Sequence, residues 1–337
     1  MAKKIQETPT NLTREELSNL SRVTTDVFFF SLFCYVIHPV RGKVRFELYP
    51  YQKAVLYQFI LQRFNILLKF RQAGITELIS MYCLWLASYH PNKKINIISI
   101  KDTTAKKVLK KIKFMYKNLP WYMQTPIING RTGEFGSASM IEFDNGSFIE
   151  SIPTSSEAGR SESLSLLVID EAAIVRWASA IWAAAFPTLS TGGSAIINST
   201  PYGMGNFYHS TWVDAIAGGN PFNAIRLYWQ MHPERDQSWY DQMASALGPK
   251  RTAQEIDGDF LSSGNTVFDL ADIKAIEDCL SDYPVIKKRF NGQYRQFLEP
   301  APDKEYFIGA DVSTGRSSDY SAFTCMDKQG EEQAVFK

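Results

Sequence analysis

The chain has 337 residues, 45% hydrophobic and 13% aromatic, which is material for about two packed domains and excludes a mainly disordered chain. Its 36 Lys and Arg balance 35 Asp and Glu for a net charge of +1, so it is no globally basic nucleic-acid coat, although local basic patches remain open. Cys34, Cys83, Cys279 and Cys325 stand far apart, and His38, His90, His209 and His232 lack ligand spacing. Neither a disulfide scaffold nor a structural zinc site is expected, and the chain reads as intracellular.

Residues 1–20 are polar and read as a loose arm, closing on a helix whose start carries the capping-box spacing Thr13 to Glu16. The most apolar run, Val27 to Ile37, is too short for the ~20 residues a bilayer span needs. It also lies behind the charged Arg14-Glu15-Glu16, so no signal peptide is expected. It reads as a buried segment or a surface for a partner. From about residue 46, apolar runs alternate with helical stretches. Strands are expected at Asn65–Phe70, Ile95–Ile100, Ser165–Ile169 and Ser194–Asn198, and helices at Thr76–Tyr89, Thr103–Asn118 and Ala178–Ala185. Runs that are apolar throughout, rather than alternating, suit a mainly parallel sheet covered by helices on both faces. A hairpin interrupts the series, Met140–Phe143 and Ser147–Ile152, with Asn145-Gly146 suggesting a type I′ turn. Polar helices follow at Ser238–Leu247 and Lys250–Leu261, then a new strand at Tyr306–Ala310.

Three segments carry chemistry. Lys69-Phe-Arg71-Gln72-Ala-Gly74-Ile75-Thr76 lies between a strand and a helix, where backbone N–H groups can cradle phosphates and a hydroxyl can ligate Mg²⁺. Gly74 and Thr76 fit such a loop. Ile75 stands where its lysine belongs, so Arg71 or Lys69 would have to supply the charge. The strand before Asp170-Glu171 ends in the acids that ATP hydrolysis uses, one for Mg²⁺ and one to orient water; two acids capping the next helix are the bland reading. Ser194–Pro201 ends a further apolar strand in Ser199 and Thr200. Between Lys101 and Lys117 stand seven lysines and one acid, either a solvated helix face or a surface for nucleic-acid phosphates.

Together these segments resemble the large terminase subunit of tailed bacteriophages, from about residue 45 to 337. Arg71-Gln72-Ala73-Gly74-Ile75-Thr76 is similar to the family's nucleotide loop, which implies phosphate contact by Arg71, with Lys69 second. Tyr49-Pro50-Tyr51-Gln52 resembles the adenine-reading segment and implies a Gln52 amide on the base. Asp170 and Glu171 correspond to the Mg²⁺ ligand and the catalytic acid, Ser199-Thr200-Pro201 to the coupling motif, and Arg160 to an arginine finger. The segment from Tyr306 resembles the opening of an RNase H-like nuclease, with Asp311, and Asp319 near it, as metal ligands.

The resemblance implies an ASCE-type P-loop ATPase at 46–232 behind an N-terminal arm and helix at 1–45. A helical linker follows at 233–300, and a nuclease begins at 301–337, broken off at Lys337 where its remaining ligands would still have to come. The implied function is ATP- and Mg²⁺-dependent translocation of double-stranded DNA into a procapsid, with Mg²⁺ or Mn²⁺ serving the full-length nuclease. Implied partners are the portal protein, the small terminase subunit and further copies in a ring, and the implied place is the host cytoplasm and the procapsid portal, with no membrane. A nucleotide-binding module with a degenerate loop and little hydrolysis, or a helicase-like ATPase, are the alternatives.

Overall fold

The computed structural model describes residues 11–128, 135–155, 158, 163–260, 284–312 and 321–336. The chain divides into two units, 1–266 and 267–337.

In the first unit, α1 (Arg14–Thr25) begins at the expected box: the Thr13 hydroxyl accepts the Glu16 N–H at 3.1 Å, and the Glu16 carboxylate accepts the Thr13 N–H at 2.8 Å. The apolar run becomes α2 (Val27–Ser31), with Val27, Phe30 and Cys34 buried in the core. A ribbon of β1 (Tyr35–His38) and β2 (Gly42–Arg45) leads to α3 (Pro50–Leu61) and β3 (Phe64–Leu68). Next come α4 (Ile75–Tyr89), β4 (Lys94–Ile98), α5 (Asp102–Asn118), β5 (Met140–Glu142), β6 (Phe148–Ser151) and β7 (Leu166–Asp170). The unit continues with α6 (Ala178–Ala185), β8 (Ser194–Ser199), α7 (Phe207–Ile216), β9 (Asn223–Arg226), α8 (Gln237–Leu247) and α9 (Pro249–Thr252). No helix among the described residues is long and apolar enough to cross a membrane.

Seven strands form one sheet in the order β5-β6-β4-β7-β8-β3-β9, parallel except for the β5–β6 pair. Its central strands are buried on both faces, as their unbroken apolar runs require. Leu67, Ile97 and Val168 join the core beneath α4 and α5, while Ile66, Leu68 and Ile169 join the one beneath α6 and α7.

Two local expectations fail. Of the hairpin residues Asn145 and Gly146 only Gly146 has a positive φ, +80°, so the connection is not type I′. The Asn145 side chain instead donates to the carbonyls of Ala87 and Ser88 and accepts the Ser147 N–H. That pins the hairpin to the end of α4, a tertiary demand that overrides the local turn preference. The expected helix at Lys250–Leu261 is broken as well, because α9 passes into a π-helical turn at Ala253–Asp257.

The second unit is a sheet of β10 (Lys287–Arg289), β11 (Tyr294–Gln296), β12 (Tyr306–Asp311), β13 (Ala322–Asp327) and β14 (Glu332–Phe336). Its order is β10-β11-β14-β13-β12, and every pairing is antiparallel. Asp311, which follows the expected strand Tyr306–Ala310, is the last residue of edge strand β12, opposite Ala322 and exposed. The side chains of Phe307, Ile308, Ala310 and Asp311 are all exposed.

Candidate nucleotide site

Strands β7, β8 and β3 lie side by side and parallel, so the loops that leave them open on the same carboxyl edge of the sheet. Four predicted residues meet there. The Lys69 N–H donates to the Ser199 carbonyl at 3.1 Å, and its ammonium lies 2.8 Å from the Glu171 carboxylate. The Thr76 hydroxyl, in the first turn of α4, is 3.4 Å from both oxygens of Asp170. Lys69 and Asp170 are buried. Burial pushes the Asp170 carboxyl up to about 6, with the nearby Glu171 charge adding to the rise and Lys69 opposing it. A hydroxyl facing a buried, incompletely compensated carboxylate is a hard-oxygen pair that suits a divalent cation.

The loop between β3 and α4 owes its path to two constraints. Gly74 has φ +70°, and a Cβ there would lie 2.5 Å from the Gln52 amide nitrogen. Gln52 comes that close because its amide oxygen accepts the Tyr49 N–H and its nitrogen donates to the Ala73 carbonyl, both at 3.1 Å. The Tyr51 hydroxyl donates to the same carbonyl at 2.8 Å. The Tyr49–Gln52 segment thus holds the loop itself. Ile75, where a phosphate-binding lysine belongs, is 1% exposed and packs in the core, so this position supplies no cation. Gln72 is exposed, with φ +61°. The Arg71 guanidinium turns to the Glu255 carboxylate at 3.1 Å.

The end of β8 is tied to the acids. The Ala172 N–H donates to the Asn198 carbonyl at 3.1 Å, and the Ala173 N–H to the Ser199 hydroxyl at 3.2 Å. These bonds fix the two residues that follow Glu171, whose φ of +57° is a strained backbone for a side-chain-bearing residue. The buried Tyr208 hydroxyl donates to the Leu67 carbonyl, and its ring stands 5.9 Å from that of Phe260. Thr200 is buried. Arg160 and Asp319 lie outside the described residues, and Asp311 belongs to the second unit.

Against this geometry the comparisons with known proteins are specific. The family profile described as terminase large subunit, T4likevirus-type, N-terminal, matches residues 66–275, more than half of the chain.

The chain belongs to the terminase large-subunit family.

The terminase large subunit of Thermus phage G20c is 29% identical over an alignment of 184 residues that covers 50% of this chain and 35% of that protein. The match thus spans about a third of the relative's length. Among solved structures, the large terminase ATPase domain of Thermus phage P74-26 superposes with TM-score 0.50 at 19% identity, covering 64% of this chain and 95% of that one. The bacteriophage HK97 large terminase gives 0.57 at 15% identity, covering 96% and 67%. At these identities the two structures establish a shared fold.

The terminase chain also carries site residues that the sequence did not single out. Arg235 donates to the carbonyls of Arg71 and Gln72 at 3.2 and 3.3 Å, and its guanidinium stacks on Phe70 and Trp239. His232 sits 4.7 Å from the Tyr49 ring, and burial lowers its pKa. Both lie more than 150 positions from the loop, and no local pattern marks them. On the lysine helix α5, Lys106 pairs with Asp102, Lys111 with Glu77, and Lys113 reaches the Ser137 carbonyl. Lys110 and Lys117 are exposed on the same face.

Proposed function

We propose that the first unit hydrolyses ATP and is the motor of a DNA-packaging machine. The observation that carries this reading is the meeting of Lys69, Thr76, Asp170 and Glu171 at one sheet edge, with Ser199 tied to both loops. In this reading Thr76 and Asp170 hold Mg²⁺, which neutralises phosphate charge. The Lys69 ammonium leaves Glu171 for a phosphate oxygen, which takes over the charge missing at Ile75. Glu171, so released, orients the attacking water. Ser199 passes the change at Glu171 to β8, and Thr200 follows it in the coupling segment. Arg160 supplies the finger guanidinium, Gly74 and Gln72 shape the loop, Arg71 adds a second cation, and Gln52 meets the base.

The substrate that moves is double-stranded DNA, whose backbone phosphates would run along the α5 lysines. Partners are the portal protein, the small terminase subunit and further copies in a ring at the procapsid, within the host cytoplasm. Asp311 and Asp319 contribute to a Mg²⁺- or Mn²⁺-dependent nuclease in the second unit. Steady-state hydrolysis tests the motor reading. Lys69→Ala should reduce kcat/KM by about a hundredfold or more, because it removes the ammonium from the charged site. Wild-type turnover in this variant would refute the assignment.

A further inference from the structure

Between Val27 and Phe46 the chain holds no Asp or Glu, yet Arg41, Lys43 and Arg45 stand together there. They fall on the β1–β2 ribbon, which is a two-stranded sheet of its own. Its register pairs Tyr35 with Arg45 and Ile37 with Lys43, so these four side chains share one face. Val36, from the other face, packs against the core. The Lys43 ammonium and the Arg45 guanidinium lie 4.3 and 5.8 Å from the centre of the Tyr35 ring.

A two-stranded ribbon is marginally stable by itself, and this one is braced at both ends. At the tip the His38 imidazole accepts the N–H groups of Val40 and Arg41, both at 3.1 Å. At the base the Phe46 N–H donates to the Cys34 carbonyl at 2.9 Å, and the Arg45 guanidinium donates to the Leu32 carbonyl at 3.2 Å. The tip is thereby held in shape with Val40 88% and Ile37 64% exposed, apolar groups set among cations and left out of the core.

The ribbon is also joined to α5. The Lys43 ammonium donates to the Asn118 side chain, at the last residue of that helix, at 2.6 Å. Lys117 is the preceding residue, and Lys110 lies two turns earlier, about 10 Å along the helix. The cations of the two elements therefore form one row, with no carboxylate of the ribbon or of α5 beyond Asp102 among them. A row of this kind complements an extended polyanion of regular charge better than a compact anion. The major groove of a duplex admits a two-stranded ribbon, with phosphates along both of its walls.

We propose that the β1–β2 ribbon is a second duplex-binding element, with Arg41, Lys43 and Arg45 on the backbone phosphates that follow those at Lys110 and Lys117. The proposal rests on the reading of this chain as a mover of double-stranded DNA. The ribbon holds the backbone without reading sequence, because its cations reach phosphates and its apolar tip offers base edges no hydrogen bond.

The test is fluorescence anisotropy of the whole chain with a labelled duplex of about thirty base pairs and arbitrary sequence, between about 50 and 200 mM salt. Wild type is compared with Arg41→Gln, Arg41→Gln/Lys43→Gln, the charge-preserving Arg41→Lys/Lys43→Arg, and Lys110→Gln/Lys117→Gln. Each lost phosphate contact should flatten the log–log salt slope by about one and weaken binding about eightfold near 0.1 M salt. The double glutamine variant should thus lose about fiftyfold in affinity, and the charge-preserving variant should stay near wild type. Affinity for a fluorescent ADP analogue should not change in any ribbon variant. If Lys110→Gln/Lys117→Gln flattens the slope while both ribbon glutamine variants leave it unchanged, the proposal is overturned and the α5 reading stands. Equal losses in the charge-preserving variant, or weaker nucleotide binding with duplex binding intact, overturn it as well. Failure of wild type to bind the duplex would remove the DNA reading itself, and the proposal with it.

Discussion

Asp170→Asn should make the nucleotide-free chain more stable while it weakens Mg²⁺-dependent nucleotide binding. The Asp170 carboxyl is 5% exposed, and burial lifts it from its ordinary 3.8 to about 6, a difference of about 3 kcal/mol. The sign follows from proton binding. Between pH 3.8 and about 6 the unfolded chain has lost this proton and the folded chain retains it, so stability falls as pH rises across that window and stays reduced above it. An amide bears no charge to bury and can still accept the Thr76 hydroxyl, although it loses the attraction of Lys69. The net gain above pH 7 is therefore about 2 kcal/mol, or roughly 4–8 °C in melting temperature for a unit of this size. All seven tryptophans fall between Trp85 and Trp239, so their fluorescence follows the first unit alone during urea or thermal unfolding. The difference between variant and wild type should be largest at pH 7–8 and shrink towards pH 4. An Asp170→Asn protein no more stable than wild type at pH 8 would refute this reasoning.

Gly74→Ala should cost about 1–3 kcal/mol and weaken nucleotide binding, since the new Cβ meets the Gln52 amide at a residue with φ +70°; urea midpoints and probe titration check both effects. Lys110→Gln with Lys117→Gln should lower affinity for a DNA duplex of arbitrary sequence and flatten its salt dependence by about one to two in log–log slope. Anisotropy titrations at several salt concentrations read that slope, and an unchanged slope would show that these lysines only solvate the helix.

The sheet was legible because its strands are buried on both faces and carry unbroken apolar runs, as at Ile66–Leu68 and Leu166–Ile169. The meeting of Thr76, in the first turn of α4, with Asp170 and Glu171 was legible because the loops that leave parallel strands open on one edge of the sheet. The resemblance put Arg71 ahead of Lys69, whereas the placement of the two depends on burial and on partners 102 and 184 positions away, which set the Lys69 ammonium on Glu171 and turn Arg71 to Glu255. The role of Asn145 was missed for a related reason: its side chain serves α4, and the turn preference yields to that contact.

In the proposed motor Glu171 does the chemistry while Thr76 and Asp170 serve binding, and Glu171→Gln separates the two roles. Its hydrolysis should be measured beside its affinity for Mg·ATP on the same preparation. The account predicts affinity at least equal to wild type, since Lys69 no longer has a carboxylate to hold it from the phosphates, with turnover reduced by about a hundredfold or more. Wild-type turnover in Glu171→Gln would contradict it.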